Sequence, residues 1–510
     1  LGVALPRVRR ELTDFLAPGI AGPGATQSGT RVVFSSPSFL FVFLPLAAAL
    51  YFAVRGMAAK NLVLLLLSLA FYAWGEPVMV LVMLGSIGFN YLAARAIDRR
   101  AGRARLLTLW AAVAVNLLAL GVFKYADFVA GNLEALLHAL GAPGLGMKRG
   151  QIALPHIALP LGISFFTFHA LSYLIDVYRR RFAANGSLRQ IALYIAFFPQ
   201  LIAGPIVRYR TIARRLAFRR HSWGRASAGL RLVVIGLAMK VLVADPLAPV
   251  ADAVFDHASA PGPLAAWAGT GAYALQIYFD FAGYSLMAIG MGVVFGFSLP
   301  RNFDLPYRSA SITEFWRRWH MTLSAWFRDY LYIPLGGNRM GPLKTCRNLL
   351  IVFLLCGLWH GSSWTFVLWG LWHGLFLALE RAGLRRMLER LPAAVGWAYA
   401  LLVVMLGWVL FRAPSLHAAV EVWRGLIGLN GATVALGPDL ARVWTPGLAA
   451  LMALGFLLSV FGLGPLRRRP RVGAARIGGL LDGAAVCGLL LLCLLAVAGG
   501  GYSPFLYYRF

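Results

Sequence analysis

The tetrapeptide Leu-Trp-His-Gly occurs twice in one apolar stretch, LCGLWHGSSWTFVLWGLWHG (Leu355–Gly374), and so sets His360 and His373 in matching surroundings. Histidine titrates nearer neutrality than any other side chain and serves as a general base. An ionisable group inside an apolar segment is also costly enough that function is its default reading. The two histidines are thirteen residues apart, and at about 100° per residue an unbroken helix would turn them roughly 140° away from each other. One cavity takes both only if the helix breaks, and the His-Gly-Ser-Ser-Trp step offers a break near Gly361. On this reading His360, near the tip of the segment, does the chemistry. His373, on the returning leg, packs or supports.

A third histidine lies in SITEFWRRWHMTLSAWFRDYLYIPLGGNR (Ser311–Arg339). Ser311 and Glu314 form a capping box that starts a helix. Apolar residues at Ile312, Phe315, Trp316, Trp319, Leu323, Trp326, Phe327 and Tyr330 follow with helical spacing, and Arg317, Arg318, Ser324 and Arg328 fall mostly opposite. The pattern predicts an interfacial amphipathic helix with His320 on its protein-facing row. By pattern alone His320 is either satisfied by a neighbouring carbonyl or faces a cavity. Among the other histidines, His169 sits in a span beside Ser164, Thr167, Ser172 and Tyr173, where interhelical hydrogen bonding accounts for it. His138, His156, His221, His257 and His417 lie in or near loops and read as solvated or interfacial. There is no G-x-S-x-G, Walker loop or H-E-x-x-H, and no pair of carboxylates is expected within the spans. A histidine base is the simplest catalyst left.

The elements that must hold these side chains are membrane spans. The chain of 510 residues is 60% hydrophobic and 13% charged, with a mean hydropathy of +0.71, whereas soluble domains carry about 25% charged residues. Candidate spans are Phe39–Val54, Leu62–Trp74, Val78–Ile97, Leu106–Phe123, Leu154–Val177, Leu230–Ala244, Leu264–Phe297, Val395–Phe411, Leu448–Phe461 and Gly478–Ala498. The net charge of +29 gathers between them in arginine-rich loops, which is positive-inside topology and not a nucleic-acid surface. Asp245–Pro263, with Asp245, Asp252 and Asp256 and no Lys or Arg, reads as an outer loop. Ile191–Ile206 and Leu349–Leu379 then start and end on the basic side, so both are expected to be re-entrant and buried in protein or lining a wet cavity. Cys346, Cys356, Cys487 and Cys493 show no metal or disulfide spacing. Residues 1–31, rich in Gly, Pro, Ala and Arg, read as a disordered leader or an overextended start. Residues 32–510 read as one membrane domain.

From Val33 to Phe510 the chain resembles the membrane-bound O-acyltransferases, in particular their bacterial alginate O-acetylation branch. The stretches that carry the resemblance include FKYADF, LPLGISFFTFHALSYLIDVYR, FFPQLIAGPIVRY, IYFDFAGYSLMAIGMG, the NFDLPYRSASITEFWRRWH segment running to Arg339, GLWHGSSWTFVLWGLWHG, GWVLFRAPS and the terminal YSPFLYYRF. The resemblance implies an all-α polytopic integral membrane protein of roughly 10–12 transmembrane helices, with re-entrant segments, around a central funnel or tunnel. It puts the family's invariant histidine at His360 and its second polar position at His320. It implies acetyl transfer from a cytoplasmic thioester, acetyl-CoA, used as a substrate with no permanently bound cofactor and no metal. Arg317, Arg318, Arg328, Asn338 and Arg339 would meet the donor's phosphates. The implied location is a bacterial inner membrane. The implied partners are an acetyl-accepting protein, periplasmic or membrane-anchored, and a polysaccharide biosynthesis complex. Peptidoglycan, cellulose, or a D-alanyl or longer acyl group are the nearer alternatives. A polysaccharide export channel or transporter, which would show membrane-embedded carboxylates, paired charges or inverted repeats, is the alternative of a different class.

Overall fold

The computed structural model describes residues 34–140, 159–257, 260–431, 436–462, 475–499 and 505–506. His156, the residue 1–31 leader, the start of the expected Leu154–Val177 span, Arg467–Arg469 and most of the terminal YSPFLYYRF lie outside them. The described residues form helices and connecting turns, with no strand. Seven helices are long and apolar enough to cross a membrane, and four shorter apolar ones accompany them.

In chain order the helices are α1 Phe39–Ala53, α2 Met57–Gly75, α3 Met79–Arg99, α4 Gly102–Ala139 and α5 Ile163–Tyr178. After α6 Leu188–Ala196 come α7 Trp223–Asp256 and α8 Pro263–Val294. The short pair α9 Ile312–Arg318 and α10 Met321–Phe327 leads into α11 Pro342–His360 and α12 Trp364–Leu379. α13 Ala393–Arg412, α14 Pro446–Phe461 and α15 Asp482–Ala498 follow, with shorter helices such as Tyr209–Ala217 and Leu416–Leu426 in the connections. Only 22% of the apolar window of α4 is covered by protein, against 78% for α8. Leu107, Trp110 and Leu118 of α4 stand outward, the surface of a helix solvated by lipid tails, while α8 is the central post. Its tightest neighbour is α7: an added Cβ on Gly229 would lie 2.7 Å from the Gly290 carbonyl oxygen, so the backbones touch where side chains are absent.

Two sequence expectations change here. Asp245–Asp252 continues the preceding helix and is no loop, because the wide π-turn at Met239–Ala244 carries it on. That turn sets Lys240 beside Asp245, and Asp280 of α8 completes a buried cluster, with Nζ 2.5 Å from Asp245 Oδ1 and 3.0 Å from Asp280 Oδ1. The chain therefore does bury paired carboxylates within its helices, neutralised in part by a lysine, as burial of charge demands. Asp252 and Asp256 in turn ion-pair with Arg412 at the end of α13. The sequence 191–206 is a broken segment: α6 gives way to the short turn Phe198–Leu201 and then to extended chain, and every residue from Ile191 to Val207 is buried. Irregular backbone at such a place is tolerated because protein encloses it.

Candidate active site

The sequence 342–379 folds as a hairpin. α11 ends at His360, Gly361 is extended at φ −158°, and α12 starts at Trp364. The Phe366 ring stands where a Cβ on Gly361 would go, so the break expected there needs glycine for space. The legs cross at Gly357 and Gly370, where an added Cβ on Gly357 would come 3.2 Å from Gly370 Cα. α11 is long enough to cross a membrane, so its leg is longer than the half-crossing the sequence suggested.

His360 is 3% exposed and His320 and His373 are fully buried. Trp359 stands between the first two, its centroid 4.8 Å from the His360 ring and 6.2 Å from that of His320. Trp369 stands between the other two, 4.9 Å from His360 and 5.2 Å from His373. The result is a file of alternating imidazole and indole, with Phe411 closing the side of His360 at 5.3 Å. The break separates the repeated histidines as expected, yet both face the same indole. His373 is wedged among Phe315, Trp316 and Trp369, and neither of its nitrogens has a hydrogen-bond partner among the described residues.

His320 departs from the expected continuous helix. α9 stops at Arg318, and His320 adopts the left-handed conformation, φ 41° and ψ 53°, before α10 begins. The segment before α9 holds the break open: Met321 N donates to the Asn302 carbonyl, and Asp304 N donates to that of Arg318. The Asn302 side chain then settles the chemistry of His320. Its Oδ1 accepts from Thr322 N at 3.2 Å and Thr322 Oγ1 at 2.9 Å, and lies 3.1 Å from His320 Nδ1. A backbone N–H can only donate, so the oxygen is correctly placed and Nδ1 must carry the proton. Nε2 of a neutral His320 is therefore a lone pair, buried and without a hydrogen-bond partner among the described residues. The apolar periodicity through this segment gave no sign of the kink or of Asn302. The Ser311 half of the expected capping box is present, with Glu314 N donating to Ser311 Oγ at 3.0 Å, while the Glu314 carboxylate accepts from Ala310 N, one residue before the cap, at 3.0 Å.

A cavity of about 470 Å³, lined by none of the three histidines, opens between α9, α10, α11 and α12. Its depth is apolar, with Met321, Val352, Phe353 and Cys356, the last one helical turn before His360. Its rim carries Arg317 and Arg328. Arg317 also lines the two neighbouring cavities, of about 630 and 570 Å³. It is exposed and ion-pairs with no described residue. The other expected donor-side residues are distributed less simply. Arg328 pairs with Asp329 at 2.7 Å, and Arg208 reaches the same carboxylate at 2.6 Å. Partial burial raises the Asp329 carboxyl, but the two guanidiniums outweigh it and hold it below the usual carboxylate range. Arg318 is drawn to Glu314 and Asp304 and faces the 630 Å³ cavity. Asn338 accepts from Tyr332 at the edge of the 570 Å³ cavity, and Arg339 is exposed on a turn and lines none of the three. At the other end of α11, a smaller cavity of about 300 Å³ is lined by Asp256, Ser363, Thr365, Phe366, Phe411 and Arg412. His360 thus lies between the basic cavity, whose wall on α11 runs up to Cys356, and the mixed polar one, which begins at Ser363.

The all-α architecture, with seven helices long and apolar enough to cross a membrane, is that of a polytopic membrane protein, and residues 152–417 match the family model described as MBOAT, the membrane-bound O-acyltransferase family. The chain belongs to that family and is an O-acyltransferase. It is 40% identical over 498 residues to the protein named probable alginate O-acetylase AlgI in Pseudomonas putida, covering 94% of this chain and 100% of that one. It is 37% identical over 438 residues to the peptidoglycan O-acetyltransferase of Helicobacter pylori, covering 79% and 81%. Similarity to the teichoic acid D-alanyltransferase of Bacillus subtilis is narrower, 29% over 221 residues, covering 40% and 54%.

Proposed function

We propose that this protein moves acetyl from acetyl-CoA to an acceptor on the outer face of a bacterial inner membrane, for O-acetylation of an alginate-type exopolysaccharide. The observation that carries the reading is the cavity that reaches Met321, next to His320, and Cys356, one turn before His360: an apolar throat suits the thioester arm, and its basic rim, with Arg317 outside any ion pair among the described residues, suits the phosphates. His360 takes the proton from the acceptor hydroxyl as its oxygen attacks the thioester carbonyl. The tetrahedral intermediate collapses, the carbon–sulfur bond breaks, and the proton passes to the departing thiolate. His320, with Nδ1–H committed to Asn302, offers Nε2 as an acceptor that orients the hydroxyl or the leaving thiol; it polarises a carbonyl only after taking up a proton. The small mouth at Ser363 and Arg412 would admit the acceptor, a hydroxyl on a partner protein that hands acetyl to the polymer-making complex. The similarity to the Helicobacter protein supports peptidoglycan as a second acceptor class.

Acetyl-ester content measured separately in exopolysaccharide and peptidoglycan, in cells with and without the gene, tests this. Loss from the exopolysaccharide alone is expected. Loss from peptidoglycan alone would move the assignment to the second polymer, and no loss from either would overturn it.

A further inference from the structure

Four carbonyls at the end of any helix lack partners within it, and at the end of α11 every one of them is accounted for. Gly361 N donates back to the Gly357 carbonyl at 3.2 Å. The other three are taken by two adjacent residues of a different helix, α4. Tyr125 Oη donates to the Leu358 carbonyl at 2.6 Å, and Lys124 Nζ donates to the Trp359 carbonyl at 2.6 Å and to that of His360 at 3.0 Å.

A lysine in a membrane-spanning helix is expensive and needs a purpose. Here its charge meets the negative end of the α11 dipole, at the residue that carries the proposed base and at the tryptophan that separates that base from His320. α4 contributes no residue to any of the cavities described above, so the pair reaches the site through the backbone of α11 and through the charge of Lys124, which His360 feels directly.

We propose that Lys124 and Tyr125 are positioning residues for His360: they clamp the last turn of α11 and fix where the imidazole stands relative to the bound thioester. The proposal rests on the reading of His360 as the base. Gly361 and the serines after it make this turn the soft point of the hairpin, and packing alone leaves those three carbonyls unsatisfied. Release of the clamp lets the turn fray and the imidazole drift from its attack geometry.

The test compares Lys124→Met, Lys124→Arg, Tyr125→Phe and His360→Ala in membrane vesicles, reading acetyl transfer at varied acetyl-CoA together with inserted amount and thermal midpoint. Lys124→Met is expected to be inserted and folded, with kcat lowered on the order of 10²-fold, the size expected for a group displaced by about 1 Å, and with KM for acetyl-CoA unchanged. Lys124→Arg, which keeps the cation and its donors, restores most of that rate, and Tyr125→Phe shows a smaller fall in kcat at unchanged KM. Wild-type kcat in folded Lys124→Met overturns the proposal, as does a loss in KM alone or a failure of arginine to restore any rate. If Lys124→Met does not fold, wild-type kcat in Tyr125→Phe overturns it. A dead His360→Ala beside a fully active Lys124→Met sinks the clamp alone, whereas an active His360→Ala sinks the reading on which it rests.

Discussion

Substituting Gly357 by alanine should disable the enzyme without unfolding it, for reasons that follow from the crossing of α11 and α12. A methyl there falls on the Phe366 carbonyl oxygen, well inside the 3.0 Å that real Cβ contacts essentially never cross, and 3.2 Å from Gly370 Cα. Both neighbours are backbone, so no side chain can swing aside. Restoring an ordinary contact requires the helices to part by about 1 Å. Overpacking of this kind costs about 1–3 kcal/mol, and alanine returns ~1 kcal/mol of helix propensity, so the net loss of about 0–2 kcal/mol is one a large membrane domain survives. The displacement falls three residues before His360, and a shift of about 1 Å at a catalytic group costs on the order of 10²-fold in rate. The assay is acetyl transfer by the purified protein in lipid discs, with the thermal midpoint measured on the same sample. Gly88→Ala in α3, where nothing lies within 4 Å of the added methyl, is the control and should keep full activity. Wild-type turnover by a folded Gly357→Ala protein would mean that the hairpin crossing does not set the position of His360.

Three further outcomes are expected. Asn302→Leu strands the Thr322 N–H and His320 Nδ1–H in the interior at about 1–3 kcal/mol each, so melting temperature and acetylation should both fall; Asn302→Asp, which keeps the acceptor oxygens, should retain the fold and much of the activity. Arg317→Ala should raise KM for acetyl-CoA with little change in kcat, and by more than Arg318→Ala, whose guanidinium is already committed to Glu314 and Asp304; equal effects in a substrate titration would contradict the assignment of Arg317 as the free cation of the rim. His373→Ala should keep substantial acetylation in cells, because His373 packs behind Trp369. A folded His373→Ala protein as dead as His360→Ala would show that the two histidines act together.

What was legible in the sequence was whatever one segment states about itself. Span positions followed from apolar runs, the break at Gly361 from a Gly-Ser-Ser step, and the start of α9 from Ser311 and Glu314. What stayed hidden depends on partners distant in the chain. The helix pattern ran unbroken through His320 because its neighbours are apolar at helical spacing, whereas the kink is set by Asn302, eighteen residues earlier. Asp245 read as a loop residue because acidic groups without basic neighbours suggest an exposed loop, and the π-turn that carries it into the protein beside Lys240 leaves no periodic mark. The FKYADF stretch helped carry the family resemblance, but that Lys124 and Tyr125 reach the end of α11 is a fact of packing between residues more than two hundred positions apart.

If His360 is the group that takes the acceptor's proton, no other side chain can replace it. Acetyl esters in the extracted polymer of cells expressing His360→Ala, compared with wild type at matched amounts of folded protein in the membrane, test this most directly. Acetylation at the level of cells lacking the gene is expected. Acetyl content at the wild-type level would contradict that role for His360.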